Sequence, residues 1–401
     1  MTHIHFLSRT ARALCFVAAA FTAQGLYADD WMARLNDGIY FNQLSIPGAH
    51  DAGTGHGTSM DSFARTQDGD ISAQWAAGVR AFDLRPTVVE DYVNINHGVI
   101  QTNVTFKQAI TILRDSLIAH PTEFAIVMMR HESDAESSTE NAQWPNMVGQ
   151  ILTDPAIEPY IMPFSRTATV YDMRGHILVL SRNDYQGSKG GIITGWSHSS
   201  NYADQKSAKI SAAKGSVKTT LYCQDFYDMT GDGGPETKKA AVEKLLEFST
   251  EQHERANYIW IINHTSGYSK TLFGAATQDG YRDNAATQNT AVINYLKDEE
   301  HYGPTGIIVM DFATSDKSGN YNVNGLTLTR TIIENNFKYA PREDLTVGIK
   351  HIGDDADQLP SASGNVENWY DVSGKSVSRP THSGLYLVRT ASGKTRKVII
   401  R

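Results

Sequence analysis

The chain has 401 residues, 40% of them hydrophobic and 20% charged, with 32 glycines and 12 prolines. That balance supports a sizeable core and excludes collagenous, disordered and many-pass membrane chains. Lys and Arg number 36 against 44 Asp and Glu, a formal charge of −8 with no Lys/Arg-rich block, so no nucleic-acid partner is expected.

The first 28 residues carry Arg9 and Arg12 without an acid, then an apolar run over 13–21, then the small-residue ending Leu26-Tyr27-Ala28. This is the order of a secretory signal peptide, and the run is too short for a stable membrane span. Its removal takes away two positive charges and Cys15, leaving a charge of −10 and one cysteine, Cys223, which excludes an internal disulfide.

From 29 to 343, short apolar runs alternate with segments of helical period. The runs cover 79–82, 124–129, 177–180, 258–262 and 306–310, and their near-continuous apolarity fits parallel strands covered on both faces. Phe106, Ile110, Leu113 and Leu117 mark one buried helix face, and a second helix is expected over 238–248. The alternation predicts an α/β protein, and about 300 residues in one block suits a (β/α) barrel. After it, 344–364 is rich in Asp, Gly and Ser and reads as a linker. Residues 365–401 read as short strands with Gly-containing turns, a small C-terminal β domain.

The residues at the end of each run point to function. Asp83 and Arg85, Arg130 and Glu132, Arg182, Asn263 and His264, and Asp311 close the runs, and a shorter stretch over 219–223 leads into Asp225 and Tyr227. In a parallel barrel these positions share one rim, so a common polar pocket is expected. The densest signal is Leu44-Ser45-Ile46-Pro47-Gly48-Ala49-His50-Asp51-Ala52-Gly53-Thr54, where Pro and Gly set a tight strand exit beside a His-Asp pair. Asn96-His97-Gly98 offers a second histidine, and Phe82-Asp83-Leu84-Arg85 a guanidinium. Two histidines and an arginine are the minimum set for a phosphodiester: a base, an acid and a fixed cation.

The block over 45–54, Phe82-Asp83-Leu84-Arg85, Asn96-His97-Gly98 and Val309-Met310-Asp311-Phe312 together resemble the X region of bacterial phosphatidylinositol-specific phospholipase C, in order over 40–315. The resemblance implies a distorted, incompletely closed TIM barrel that cleaves phosphatidylinositol, or glycosyl-phosphatidylinositol anchors, by intramolecular attack of the inositol 2-hydroxyl. Diacylglycerol and inositol 1,2-cyclic phosphate are the implied products. It implies His50 as general base with Asp311 as its carboxylate partner, His97 as general acid assisted by Asp51, and Arg85 as phosphate stabiliser. Calcium-using relatives have an acid at the position of Arg85, so no metal or other cofactor is expected here. Arg130, Glu132, Arg182, Asp225 and Tyr227 match positions that bind the inositol ring; Arg130 stands where lysine is usual.

Family members reach lipid through apolar rim side chains, for which Met60, Phe63, Ile192, Ile193, Trp196, Leu272 and Phe273 are the candidates. The tail, with Tyr370-Asp371-Val372-Ser373-Gly374-Lys375 and Ser383-Gly384-Leu385-Tyr386-Leu387-Val388, resembles C-terminal domains of exported Bacteroidetes proteins, some of which act as sorting signals. The expectation is a monomeric bacterial enzyme, secreted, periplasmic or at the cell surface. The alternatives are a glycerophosphodiester phosphodiesterase-like hydrolase, which needs a metal cage that Arg85 disfavours, and a non-catalytic surface binding protein, which needs no acid–base pair.

Overall fold

The computed structural model describes residues 30–198, 208–251, 259–298, 301 and 303–340, and strands between 366 and 400. The expected signal peptide and linker lie outside the described residues.

The elements run β1 (Ser45–Ala49), the one-turn α1 (Asp61–Ala64), α2 (Ile71–Ala77), β2 (Ala81–Leu84), β3 (Pro86–Val89), β4 (Tyr92–His97), β5 (Ile100–Thr105), α3 (Phe106–Ala119), β6 (Ala125–Met129), α4 (Ser138–Leu152) and α5 (Val170–Met173). They continue with β7 (Ile177–Ser181), β8 (Gly191–Thr194), β9 (Ala208–Ala212), β10 (Lys218–Gln224), α6 (Glu236–Thr250), β11 (Ile259–His264), β12 (Thr271–Leu272), β13 (Ala275–Ala276), α7 (Gln278–Lys297), β14 (Gly306–Met310) and α8 (Gly325–Tyr339).

Nine strands form a barrel in the order β1-β14-β11-β10-β9-β8-β7-β6-β2, with β1 pairing back onto β2. All neighbours are parallel except β8–β9 and β9–β10. The ring is therefore closed, where the resemblance implied an incompletely closed one: β8 and β9 fill the space between β7 and β10, β8 running parallel to β7 and β9 against both β8 and β10. The distortion survives as two thin joins, β1–β2 and β7–β8, each held by two residue pairs.

Every barrel strand with a continuous apolar run is buried on both faces because it serves two cores. Ile126, Met128, Leu178, Leu180, Ile307 and Val309 belong to one cluster with Trp31, Phe41 and Phe124; Val127, Met129, Val179, Ile308 and Met310 pack with Leu113, Val148 and Leu328 of the outer helices. Phe41 sits edge-on to Phe124 at 4.3 Å and 5.6 Å from Trp260, where it closes the N-terminal end of the barrel. Beside it Arg80 and Glu123 form a fully buried ion pair of 3.0 Å.

Helix signals explain the outer layer. Thr105 and Gln108 form a capping box that starts α3, whose buried residues include Phe106, Ile110, Leu113 and Leu117. α6 runs two residues further at each end than the periodicity over 238–248 predicts. β3, β4 and β5 were not foreseen as a unit: they form an antiparallel three-stranded sheet outside the barrel. The C-terminal strands, β15 (Val366–Tyr370), β16 (Ser376–Val377), β17 (Gly384–Thr390) and β18 (Thr395–Ile400), form a separate antiparallel sheet, β16-β15-β17-β18.

Candidate active site

The exit of β1 builds the first half of the site. A Cβ on Gly48 would come within 3.1 Å of the Ile308 carbonyl and 3.3 Å of Ala81, so a larger residue would push β1 outward by a few tenths of an ångström from its place between β14 and β2. The chain then turns at Asp51, whose φ of 43° is left-handed, a conformation that non-glycine residues adopt at a cost. With this turn the successive side chains of His50 and Asp51 both reach Arg85. A glycine is also required at position 55, where a Cβ would fall 1.8 Å from the Gly69 carbonyl.

Arg85 leaves the end of β2 and is the hub. Its Nε lies 2.7 Å from Asp51 Oδ1, its Nη2 2.9 Å from His50 Nε2 and 3.3 Å from Asp83 Oδ2, and its Nη1 3.5 Å from Glu132 Oε2. Against the pull of burial, Asp51, Asp83 and Glu132 raise its pKa further, so it is a permanent cation. A guanidinium can only donate, so His50 Nε2 accepts, and the imidazole proton sits on Nδ1. Nδ1 lies 2.7 Å from Asp311 Oδ1, and the other oxygen of Asp311 accepts the Gly267 N–H at 3.1 Å. Burial lowers the pKa of His50, but the carboxylates of Asp51 and Asp311 more than reverse this, and it lies above 6.5.

His97 approaches from the end of β4, outside the barrel. Its Nδ1 is 2.8 Å from the Ala64 carbonyl and 3.5 Å from Asp51 Oδ2, and its Nε2 is 3.5 Å from the Tyr281 hydroxyl. Asp51 thus lies within 3.5 Å of both histidines.

His50, Arg85, His97, Arg130, Glu132, Arg182, Asp225 and Tyr227 line one cavity of about 260 Å³. Of the ten site residues expected from sequence, only Asp51 and Asp311 are absent from its wall; both are buried behind His50. Arg130 stands 3.6 Å from Glu132, and Arg182 3.6 Å from Asp225. Tyr227 is half exposed, with its ring 5.2 Å from that of His198.

Other groups complete this side. Trp196, read from sequence as a membrane candidate, instead covers the Arg182 guanidinium at 3.5 Å and donates to Asp225 Oδ2 at 2.8 Å. Ile193, another such candidate, is buried in the core. His198 Nδ1 lies 2.9 Å from Asp225 Oδ2, and His264 Nδ1 3.7 Å from Asp225 Oδ1. Burial would raise the pKa of Asp225, but the His198 hydrogen bond and the Arg182 guanidinium hold it well below the ordinary carboxylate range. Burial brings His264 down to about 3, so it is neutral.

His50, Asp51 and Asp83 have metal-ligand spacing. The Arg85 guanidinium contacts all three, so their oxygen and nitrogen lone pairs already face a cation, and a second one would meet its charge at close range. This donor set does not fit a divalent ion.

No family model matches the chain. It is 24% identical over 247 residues to a 1-phosphatidylinositol phosphodiesterase of Staphylococcus aureus, covering 61% of this chain and 78% of that one. It is 26% identical over 288 residues to the 1-phosphatidylinositol phosphodiesterase of Listeria monocytogenes, covering 70% and 80%. Among solved structures, a phosphatidylinositol-specific phospholipase C variant from Staphylococcus aureus superposes with a TM-score of 0.60 at 19% identity, over 77% of this chain and 99% of that one. The enzyme from Listeria monocytogenes gives 0.54 at 23%, over 77% and 98%. The resemblance read from the sequence is borne out: the chain is a relative in sequence, and a neighbour in fold, of the bacterial phosphatidylinositol-specific phospholipases C.

Proposed function

We propose that the chain is a phosphatidylinositol diacylglycerol-lyase. The carrying observation is the pair of contacts that sets the tautomer of His50: its Nδ1 is held by buried Asp311, and its Nε2 lone pair meets the Arg85 guanidinium, which lines the cavity with it. A base so oriented takes the proton of the inositol 2-hydroxyl as that oxygen attacks phosphorus. Arg85 turns part of its donor fork to the phosphoryl oxygens and stabilises the charge that builds there. The bond from phosphorus to the glycerol oxygen breaks, and His97, placed on a separate element, gives that oxygen its proton. Diacylglycerol and inositol 1,2-cyclic phosphate result, and His97 regains a proton from solvent as His50 returns its own.

Arg130, Glu132, Arg182, Asp225 and Tyr227 form the head-group side of the cavity, where paired cations and carboxylates suit the vicinal hydroxyls of a polyol. Lipid contact falls to the β12–β13 turn, in which Phe273 is 99% and Leu272 48% exposed, and to Met60 at 51%. No helix among the described residues is long and apolar enough to cross a membrane. Residues 1–28 would direct export, and the C-terminal sheet would serve as an accessory or sorting element.

Phosphorus NMR of the products from phosphatidylinositol, with a chelator present, tests the reading. A cyclic phosphate signal that is lost in His50→Ala and in His97→Ala is the expected result. Hydrolysis to a non-cyclic phosphate that the chelator abolishes would support the metal-dependent glycerophosphodiesterase alternative instead.

A further inference from the structure

Lys238 is fully buried in the first turn of α6. Two physical effects oppose an ammonium there: loss of hydration, and the positive end of the helix dipole. Burial, offset in part by Asp225, Asp311 and Cys223, brings its pKa down to about 8. A residue kept in so unfavourable a place is explained by its partners.

Its ammonium donates to two backbone carbonyls, that of Phe226 at 2.5 Å and that of Ser266. Phe226 stands between Asp225 and Tyr227, in the loop after β10 that carries the head-group contacts. Ser266 precedes Gly267, whose N–H holds Asp311, and its Oγ lies 3.1 Å from His264 Nδ1. The same two loops are tied by backbone bonds, Tyr268 N–H to the Tyr227 carbonyl at 2.8 Å and Met229 N–H to the Tyr268 carbonyl at 2.9 Å. A Cβ on Gly267 would meet the Tyr227 carbonyl at 2.7 Å, so the loops are in close contact here.

We propose that Lys238 is a positioning residue that locks the head-group loop and the loop orienting the base into one unit. Substrate binding at Asp225 and Tyr227 then shares a rigid support with Gly267, Asp311 and His50. This inference rests on the reading of the site as a phosphatidylinositol lyase.

The test uses the full chain with Lys238→Met, which keeps an unbranched side chain one atom shorter and removes the donor. Two measurements are made: amide hydrogen exchange, and steady-state kinetics on a monomeric short-chain phosphatidylinositol. The expected result is exchange at least about tenfold faster at Gly267, Tyr268 and Met229 than in the parent, with the rest of the barrel unchanged. KM rises and kcat falls together, and in an Asp311→Asn background Lys238→Met lowers kcat by a smaller factor than it does alone. Parent-like exchange and kinetics within about twofold, or exchange accelerated uniformly over the barrel, would overturn the proposal. Should Lys238→Met fail to fold, Lys238→Gln takes its place: its amide nitrogen ends one atom short of the ammonium and does not reach both carbonyls, so exchange raised at the same three amides supports the tie, and parent-like exchange refutes it. A parent protein that forms no cyclic phosphate would defeat the functional reading, while the exchange data would still decide whether Lys238 ties the loops.

Discussion

Replacement of Asp311 by Asn tests the proposed base at its weakest point. Asp311 is fully buried and uses both oxygens, one at 2.7 Å from His50 Nδ1 and one accepting the Gly267 N–H at 3.1 Å. Asn has one acceptor. If it stays with Gly267, the amide NH₂ points at His50 Nδ1 and drives the imidazole proton to Nε2, against the Arg85 donor at 2.9 Å. Loss of one charge-assisted hydrogen bond is worth about 1.5–3 kcal/mol, or roughly 10- to 150-fold in rate. Locking the wrong tautomer extends the loss toward the order of 10⁴. Cyclic phosphate formation, followed by phosphorus NMR over a pH series, should thus show kcat lowered by roughly 10²- to 10⁴-fold. The base must be unprotonated, so in the parent kcat/KM falls as pH drops through the His50 pKa, which lies above 6.5. Without the Asp311 charge that pKa drops and the acid limb moves to lower pH. Activity within about threefold of the parent, or an acid limb that does not move, would refute the role assigned to the pair.

The same geometry predicts three more outcomes. Arg85→Lys keeps one charge but cannot reach Asp51, His50, Asp83 and Glu132 together, and kcat should fall by about 10²-fold or more in assays on soluble substrate, with no rescue by calcium. Leu272→Ser with Phe273→Ser removes two exposed apolar side chains from the β12–β13 turn, so sedimentation with phosphatidylcholine vesicles should weaken while kcat/KM on a monomeric substrate stays unchanged; equal binding would move the lipid contact elsewhere. Glu123→Ala leaves Arg80 buried without its carboxylate and should cost about 3–5 kcal/mol in urea unfolding; a cost under about 1 kcal/mol would show that the pair is not needed for stability.

The parts of the site that were legible in the sequence are those attached to strong barrel strands. Arg85, Arg130, Arg182 and Asp311 each stand within three residues of the end of an apolar run and His50 follows the Pro-Gly exit of 45–49, so one rule, that strand ends share a rim, gathers them without any coordinate. Asp225 and Tyr227 come after the weaker alternating stretch of β10 and still obey it. His198 was missed because β8 is four residues long and its partner β9 runs antiparallel, so no long apolar run announces a rim there. Lys238 and Tyr281 were missed for a different reason: each sits in the first turns of a helix, where a lysine or tyrosine carries no sequence mark of burial. Trp196 is only a candidate lipid contact in the sequence, because an isolated tryptophan near a rim has no visible partner there. Its partner, Arg182, lies before β8, at the end of a different strand. The nine-strand closure could not be read at all, because β8 and β9 are short and buried only at alternate residues, so neither shows the continuous apolar run that marks most of the other barrel strands.

The thin join between β1 and β2 gives Arg85 a second meaning. His50 and Asp51 stand on one side of that seam, Asp83 and Arg85 on the other, and only two residue pairs of the ladder cross it. The guanidinium contacts to His50 and Asp51, with the Asp51 N–H donating to Asp83 Oδ2 at 3.2 Å, continue the stitching past the end of the ladder. The group proposed to receive the phosphate therefore also fastens the wall. When substrate draws donors of Arg85 toward its own oxygens, it loosens the stitch and takes its place, so an occupied site would be held shut by the ligand itself.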